Sequence, residues 1–419
     1  MASAEPGRPW TLLGGRSTEA FLGEHWQRRP LLVRQALPGI TPPIEPDELA
    51  GLACEPEVDA RLVEGSGHDW RVRYGPFEPE VLTGLGAREW TLLVTDVERH
   101  LRACRAVAQL LGHFDFLPHW RVDDLMLSLA APGGSVGPHV DAYDVFLVQL
   151  SGHRHWAIGA SVPAGHRPHL VEDLPLAILA EFEPTEDWLL GPGDMLYLPP
   201  GLPHHGVAAE APVHDWCMTA SVGFRAPSAQ MLITEVAHLV ASAVDPEWRF
   251  SDPGRAPTVT PGALDEADLE GLGRLLEPLR EALNDPQRCA RLIAQAVTRD
   301  APGASPGWAP ETPDPDSNAN DDTARGPWVH ALARLAYCGG GAAPAQMYAG
   351  GEPWQVPPGL PACARVLCDH PHGIAEVRLA ERLAPPATAR DLARWLDDLI
   401  AAGHLARRAG PVAREDPSQ

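Results

Sequence analysis

Between Trp120 and Gly223 the chain is interrupted by glycine and proline too often for long helices, and this limits its fold more than any other feature. Short apolar runs fill the intervals: Leu125–Leu129, Val145–Leu150, Trp156–Ile158, Met195–Leu198 and Cys217–Val222. Runs of this length with turn residues between them predict a jelly-roll or double-stranded β-helix.

The flanks read differently. The first hundred or so residues mix short helical and extended signals, with Ser17 a candidate N-cap for Thr18–Leu22 and Pro30 leading the apolar run Leu31–Val33. After Phe224 the texture becomes helical. Met231, Leu232, Val236, Leu239 and Val240 recur at helical spacing behind Ser228, and Leu264–Leu283 and Pro286–Val297 follow the same period. Residues 301–327 are rich in Pro, Asp, Asn, Gly and Ser and read as a linker. Beyond it, Ile374–Leu383 and Ala387–Ile400 suggest two helices, in outline a winged-helix module. The expectation is an α+β chain: a β-helix domain over 1–227 with its core at about 120–225, a helical region over 228–300, a linker over 301–327, and a winged-helix-like domain over 328–419.

A chemical motif lies inside the β-rich stretch. Gly137-Pro138-His139-Val140-Asp141 is followed downstream by Gly193-Asp194 and Pro199-Pro200-Gly201-Leu202-Pro203-His204. Residues i and i+2 of a strand share a face, so His139 and Asp141 are expected to aim together into a barrel mouth. The rigid proline turn presents His204 as the third ligand, ahead of its rivals His205 and His214, and His205 is expected to face the other way. Two imidazoles and one carboxylate suit iron(II) and leave coordination positions open, which points to an oxygenase. A lone HxD is commonly a surface dipeptide; its combination with the second motif is far more specific. An oxygenase using 2-oxoglutarate needs an anchor for the distal carboxylate. Arg154, just past a strand, offers a bidentate fork, with Ser128 on a neighbouring strand sharing the load and Arg225 the second candidate. Asp144 or Asp124 is placed to receive a guanidinium from a substrate, although each equally suits a strand-end role.

Composition narrows the partners. The chain has 56 acidic and 33 basic residues, a formal net charge of -23, and no lysine. Such a surface repels nucleic-acid backbone and attracts a basic protein, although avoidance of lysine codons in a high-GC genome gives the same composition. Direct DNA binding is therefore not expected, and Arg378, Arg382, Arg390 and Arg394 in the terminal helices are balanced by acids. The 7 cysteines form no paired motif, and neither a signal peptide nor a membrane span is apparent, so a cytoplasmic protein is expected.

The segments DDLMLSLAAPGGSVGPHVDAYDVFLVQLSGHRHWAIG, GDMLYLPPGLPHHGVA and SVGFRAPS, with HWQRRPLLVR and YGPFE upstream, together resemble the bacterial ribosomal oxygenases of the Jumonji-C class. The likeness covers residues 17–228 and weakens beyond. It implies a cupin-type β-helix, a helical dimerisation region that makes a homodimer, and a winged-helix domain. It further implies an iron(II)- and 2-oxoglutarate-dependent dioxygenase that hydroxylates C3 of an arginine in a large-subunit ribosomal protein. By motif, His139, Asp141 and His204 match the family's iron ligands, and Arg154 and Ser128 its 2-oxoglutarate contacts. Two departures stand out: the 301–327 stretch, and His205 where an acid is expected. Rival readings are hydroxylation of another residue such as histidine, demethylation, a cupin-like metal protein without 2-oxoglutarate, and a DNA-binding regulator with a vestigial barrel.

Overall fold

The computed structural model describes residues 11–66, 69–101, 105–162, 169–172, 174–210, 216–299, 328–331, 333–338 and 346–408; the expected linker over 301–327 lies outside them. The N-terminal half is a double-stranded β-helix. Its strands are β1 (Leu31–Val33), β2 (Ala60–Ser66), β3 (Asp69–Tyr74), β4 (Trp90–Val94), β5 (Val122–Ala130), β6 (Asp144–Ser151), β7 (Arg154–Gly159), β8 (Pro184–Leu190), β9 (Met195–Leu198), β10 (His204–Ala208) and β11 (Cys217–Phe224). An eight-stranded antiparallel sheet runs β1-β9-β6-β11-β5-β4-β2-β3, and a three-stranded sheet β10-β7-β8 faces it. The β-helix thus reaches well upstream of Trp120, because the N-terminal segment supplies β1 at one edge and β4, β2 and β3 at the other.

Alternation along the central strands sorts side chains between two environments. Met218, Ala220, Val222 and Phe224 of β11 join Leu125, Leu127, Phe146 and Val148 in a core roofed by the N-terminal helices, where Trp26 stacks on Tyr197 and Phe146 and Phe21 meets Tyr197 edge to face. The intervening residues face the lumen between the sheets. There Val145, Leu147, Leu196 and Leu198 pack on Trp156 and Ile158, while Ser128, Thr219 and Gln149 form a row of cross-strand neighbours. Buried polar residues persist in this row because each finds a partner: Thr219 Oγ1 donates to Gln149 Oε1 (3.1 Å) and Ser128 Oγ to Thr219 O (3.4 Å).

Turn residues behave as their chemistry requires. Asp194, in the turn before β9, accepts from Gln35 N (2.9 Å), Gly191 N (3.1 Å) and Arg34 Nη1 (2.6 Å), closing the β1 edge. Gly193 and Gly201 have φ of 89° and 78°, a region a Cβ disfavours. Ser17 and Ser228 cap their helices, accepting from Ala20 N (3.2 Å) and Met231 N (3.0 Å). The stretch expected as one helix over Leu264–Leu283 is two, Glu266–Leu275 and Glu277–Asn284, because Pro278 cannot continue the first.

The C-terminal domain has its own core of Val329, Leu367, Trp395, Leu396 and Leu399. Strand β12 (Trp328–Ala331) lies between β16 (Ile374–Ala375) and β17 (Leu405–Arg408), and β13 (Leu335–Cys338), β14 (Gln346–Ala349) and β15 (Glu352–Trp354) form a second small sheet. Three helices fill the interval: Pro361–Asp369, Glu376–Ala380, and Ala389–Ala401 with a Thr388–Asp391 capping box. Among the described residues no helix is long and apolar enough to cross a membrane.

Candidate metal and co-substrate site

His139, Asp141 and His204 converge at the barrel mouth, with one donor atom from each lying within 4.8 Å of the others. Asp141 Oδ2 is 3.5 Å from His204 Nε2 and 3.9 Å from His139 Nε2. The two rings lie edge to face, centroids 4.2 Å apart. Backbone geometry makes this convergence. His139 N donates to His204 O and His204 N to His139 O, both at 3.0 Å, and Gly201 N donates to Asp141 O (2.8 Å). The pair does not lie in a regular strand, as its i, i+2 spacing suggested: His139 forms only an isolated bridge with His204. Gly137 at φ 80° and Pro138, which lacks an N–H, prevent a longer ladder.

Each imidazole is fixed through its other nitrogen. His139 Nδ1 donates to Gly137 O and His204 Nδ1 to Leu202 O, both at 2.9 Å, leaving both Nε2 lone pairs turned toward the centre. Burial, reinforced by the neighbouring His204, pushes His139 down to about 4, so it is neutral near pH 7. For Asp141 burial works against ionisation, but the neighbouring His204 and His139 rings and the Tyr143 hydrogen bond hold its carboxyl below the usual range. Two imidazoles with Nε2 turned inward and an ionised carboxylate fit a divalent transition metal.

Arg154 begins β7, on the sheet opposite Ser128, and is 3% exposed. Its Nε and Nη2 are buried with no hydrogen-bond partner among the described residues, and its guanidinium lies 5.7 Å from the Trp156 ring centroid. An unpaired buried cation is costly, so this arrangement implies an anion that completes it. Ser128 is likewise buried, with its long bond to Thr219 leaving acceptor capacity.

Other expectations resolve differently. Arg225 is not an anchor, because its Nε donates to Asp123 Oδ1 (2.8 Å). Asp144 cannot receive a substrate guanidinium. It is fully buried and already takes bonds from Tyr197 Oη (2.6 Å), Gln27 Nε2 (3.0 Å) and Arg121 Nη2 (3.1 Å). His205 faces away from His204, pairing with Ser135 Oγ at 3.0 Å, while His214 lies outside the described residues. Sequence reasoning overlooked Trp156, Tyr143 and Gly206. A Cβ on Gly206 would lie 2.7 Å from the Trp156 ring, so glycine two residues past His204 makes room for the ring beside Arg154. Spacing along β10 was the available signal.

Acidic side chains gather on the rim. Burial, reinforced by Glu98, Asp123 and Asp96, pushes the Asp124 carboxyl well above the usual range, with Arg61 opposing. Burial and Asp96 push Glu98 up to about 7, although its Oε2 accepts from Leu125 N (2.9 Å). A raised folded pKa makes a stability contribution that is full below the unfolded value and lost as pH rises through about 7. From about pH 5 to about pH 8, the wild-type thermal midpoint should therefore fall more than that of Glu98→Gln. Parallel pH profiles for the two proteins would remove Glu98 from this account.

A sequence model of the JmjC domain matches residues 109–232. The chain is 39% identical over 280 residues to "Ribosomal protein uL16 3-hydroxylase" of Escherichia coli K12, covering 67% of this chain and 70% of the relative. It is 37% identical over 222 residues to "Probable ribosomal oxygenase" of Haemophilus influenzae, covering 51% of each. An X-ray structure of E. coli YcfD superposes with TM-score 0.71 at 32% identity, covering 93% of this chain and 98% of that one. The same ribosomal oxygenase in complex with cobalt and 2-oxoglutarate superposes with TM-score 0.69 at 31% identity, over 93% and 97%. With the fold, the converging triad and these likenesses together, the chain belongs to the ribosomal oxygenase family of JmjC-domain proteins.

Proposed function

We propose that this protein is an iron(II)- and 2-oxoglutarate-dependent oxygenase that hydroxylates C3 of an arginine in a large-subunit ribosomal protein. One observation carries the co-substrate reading: the buried Arg154 guanidinium, its Nε and Nη2 without a partner among the described residues, in a lumen that also holds the two-His, one-Asp cluster. His139, Asp141 and His204 would hold iron(II), and Arg154 with Ser128 would hold the far carboxylate of 2-oxoglutarate. The bound metal, 2-oxoglutarate and oxygen supply the oxidising chemistry. The protein's share is placement. The backbone carbonyls of Gly137 and Leu202 keep both imidazoles in the ligating tautomer, and Tyr143 holds Asp141 ionised. Trp156 and the apolar lumen exclude water from the reacting atoms.

Asp124 is our candidate for the substrate cation. It lies at the start of β5 among Glu98, Asp123 and Asp96, where crowded acids raise its pKa and an incoming guanidinium would relieve their repulsion. A permanent cation satisfies this rim better than neutral histidine does, which favours arginine as the target. The E. coli relative's name motivates C3 and the ribosomal protein; a charge of -23 suits a basic partner and disfavours DNA. The same partner would place the protein in the cytoplasm.

The deciding experiment incubates the protein with iron(II), 2-oxoglutarate, oxygen and purified ribosomal proteins. One ribosomal protein should gain a single oxygen, located on arginine by fragment mass spectrometry, with succinate formed in step. A modified histidine, a lost methylene, or no succinate would overturn this reading.

The helical region from Ala229 to Thr298 we assign to a homodimer contact. Ile233, Leu264, Leu269, Leu276 and Leu283 are each more than half exposed there, and an apolar face of this kind calls for a cover. Light scattering should return the mass of two chains; a monomer at about 10 μM would refute the assignment. Residues 328–419 we keep as a winged-helix-like unit.

A further inference from the structure

Asp123 and Asp124 are neighbours in sequence at the start of β5, yet they meet different surroundings. Asp124 joins the acidic rim, while Asp123 is gripped from the other side by arginines drawn from distant parts of the chain. Arg225 Nε donates to Asp123 Oδ1 (2.8 Å). Arg334, from the C-terminal domain, donates through Nη2 to the same Oδ1 (3.2 Å) and to Asp123 O (2.9 Å), and its Nε reaches Val122 O (3.4 Å). Both arginines also approach the carbonyl of Arg299 (3.4 Å each), at the C-cap of helix Pro286–Thr298, where the helix dipole favours cations. Arg299 in turn pairs with Glu235 (3.0 Å), and Arg121 Nε donates to Arg225 O. The side chain of Arg334 is about nine-tenths buried in this node.

The strand opposite is irregular. Val222 pairs with Leu125 and Phe224 with Val122, and the register shift between them leaves Gly223 facing the two aspartates. A Cβ on Gly223 would lie 2.8 Å from Asp124 Oδ1, so the Asp124 carboxylate rests against bare backbone at a bulge. A bulge re-aims a side chain, but its ladder bonds do not hold it on both sides. At this bulge the missing restraint on the β5 side comes from Arg334, whose planar fork ties Val122 O, Asp123 O and Asp123 Oδ1 to one rigid group.

We infer that Arg334 is a substrate-positioning residue: by clamping Val122 and Asp123 it sets the direction in which Asp124 offers its carboxylate to the cationic side chain of the substrate. The C-terminal domain thereby contributes to the substrate site without touching substrate. The inference rests on Asp124 as the cation's receiver. A carboxylate that pairs with a guanidinium fork must be held to within about 0.5 Å, so losing the clamp weakens substrate capture first. The metal residues and Arg154 lie elsewhere, on β7, β10 and the loop before β6; Ser128 shares β5 but sits in its regular ladder, paired with Thr219 and Leu93 beyond the clamped end, and all are left as they were.

The test compares Arg334→Ala, Arg334→Lys, Asp124→Asn and the Arg334→Ala/Asp124→Asn double variant in the full-length protein. The probe is a basic arginine-containing peptide from whichever ribosomal protein is hydroxylated. Arg334→Ala should raise the peptide KM about tenfold, while the 2-oxoglutarate KM, Mn(II) affinity and peptide-free 2-oxoglutarate turnover stay within about twofold. Arg334→Lys, which keeps the charge but loses the fork, should recover part of the loss. The double variant should be no worse than Asp124→Asn, because both changes remove the same interaction. A general loosening of the fold would instead raise the peptide and 2-oxoglutarate KM together, and that result overturns the inference. If Asp124→Asn raises the peptide KM but Arg334→Ala does not, the clamp alone is refuted. If Asp124→Asn has no effect, the receiver reading fails first and this inference falls with it. Should Arg334→Ala not fold, Arg334→Lys carries the same comparison, and an unchanged peptide KM there counts against the clamp.

Discussion

Asp141→Ala is expected to abolish divalent-metal binding in the micromolar range and to lower hydroxylation by at least about a thousandfold. Asp141 contributes the cluster's only negative charge, held ionised by His204, His139 and Tyr143 despite its burial. Without it two imidazoles remain, and neither charge nor donor number suffices for a dication. Mn(II) or Co(II) titration by calorimetry checks the first claim. A thermal-shift measurement checks it independently: metal at about a hundred times its Kd should stabilise the wild type by about 2.7 kcal/mol and leave Asp141→Ala unmoved. Because Asp141 lies on a loop at the barrel mouth, the metal-free variant should melt close to the metal-free wild type. Retained metal affinity in Asp141→Ala would sink the three-ligand assignment.

Arg154→Met should separate co-substrate binding from metal binding, and in the opposite direction from its effect on stability. Removing the cation from a buried ion pair costs about 2–5 kcal/mol, so the 2-oxoglutarate KM should rise by about two to three orders of magnitude while Mn(II) affinity is unchanged. In the protein without 2-oxoglutarate, however, Nε and Nη2 of Arg154 are buried and unsatisfied, which costs about 1–3 kcal/mol. Methionine fills the space of the stem and brings no charge, so the ligand-free variant should melt higher than the wild type. Adding 2-oxoglutarate with Mn(II) should then stabilise the wild type beyond Mn(II) alone and add nothing to Arg154→Met. A ligand-free variant that melts lower would mean the guanidinium is stabilised by the fold itself, and the anchor role would lose its physical basis.

Much of this site was legible in the chain because its chemistry is local. The prolines and glycines around His139 and His204 restrict the backbone strongly enough that the ligating pair and its third member could be singled out by spacing. Ser17 and Ser228 were readable as caps for the same reason: a side-chain oxygen and an N–H three residues on need no tertiary partner. Asp144 shows where such reading stops. Nothing in Tyr143-Asp144-Val145 announces that Gln27, Arg121 and Tyr197 converge on that carboxylate. Arg225 misled in the same way, since its partners Asp123 and Arg299 come from distant segments.

The centres of the main β-helix strands, the helix caps at Ser17 and Ser228, and the choice of His139, Asp141 and His204 as metal-binding side chains rest on local residue patterns, and the sequence alone determined them. Only the tertiary structure decided that four N-terminal strands complete the larger sheet, that His139 and His204 meet through an isolated bridge instead of a ladder, and that Nε and Nη2 of Arg154 are buried without a partner among the described residues. The same holds for the grip of Arg334 on Asp123, across 211 residues of chain. These depend on which surfaces are brought together in three dimensions. Burial and pairing set the energy of a charge, and both are properties of the assembled fold, not of any stretch of the chain.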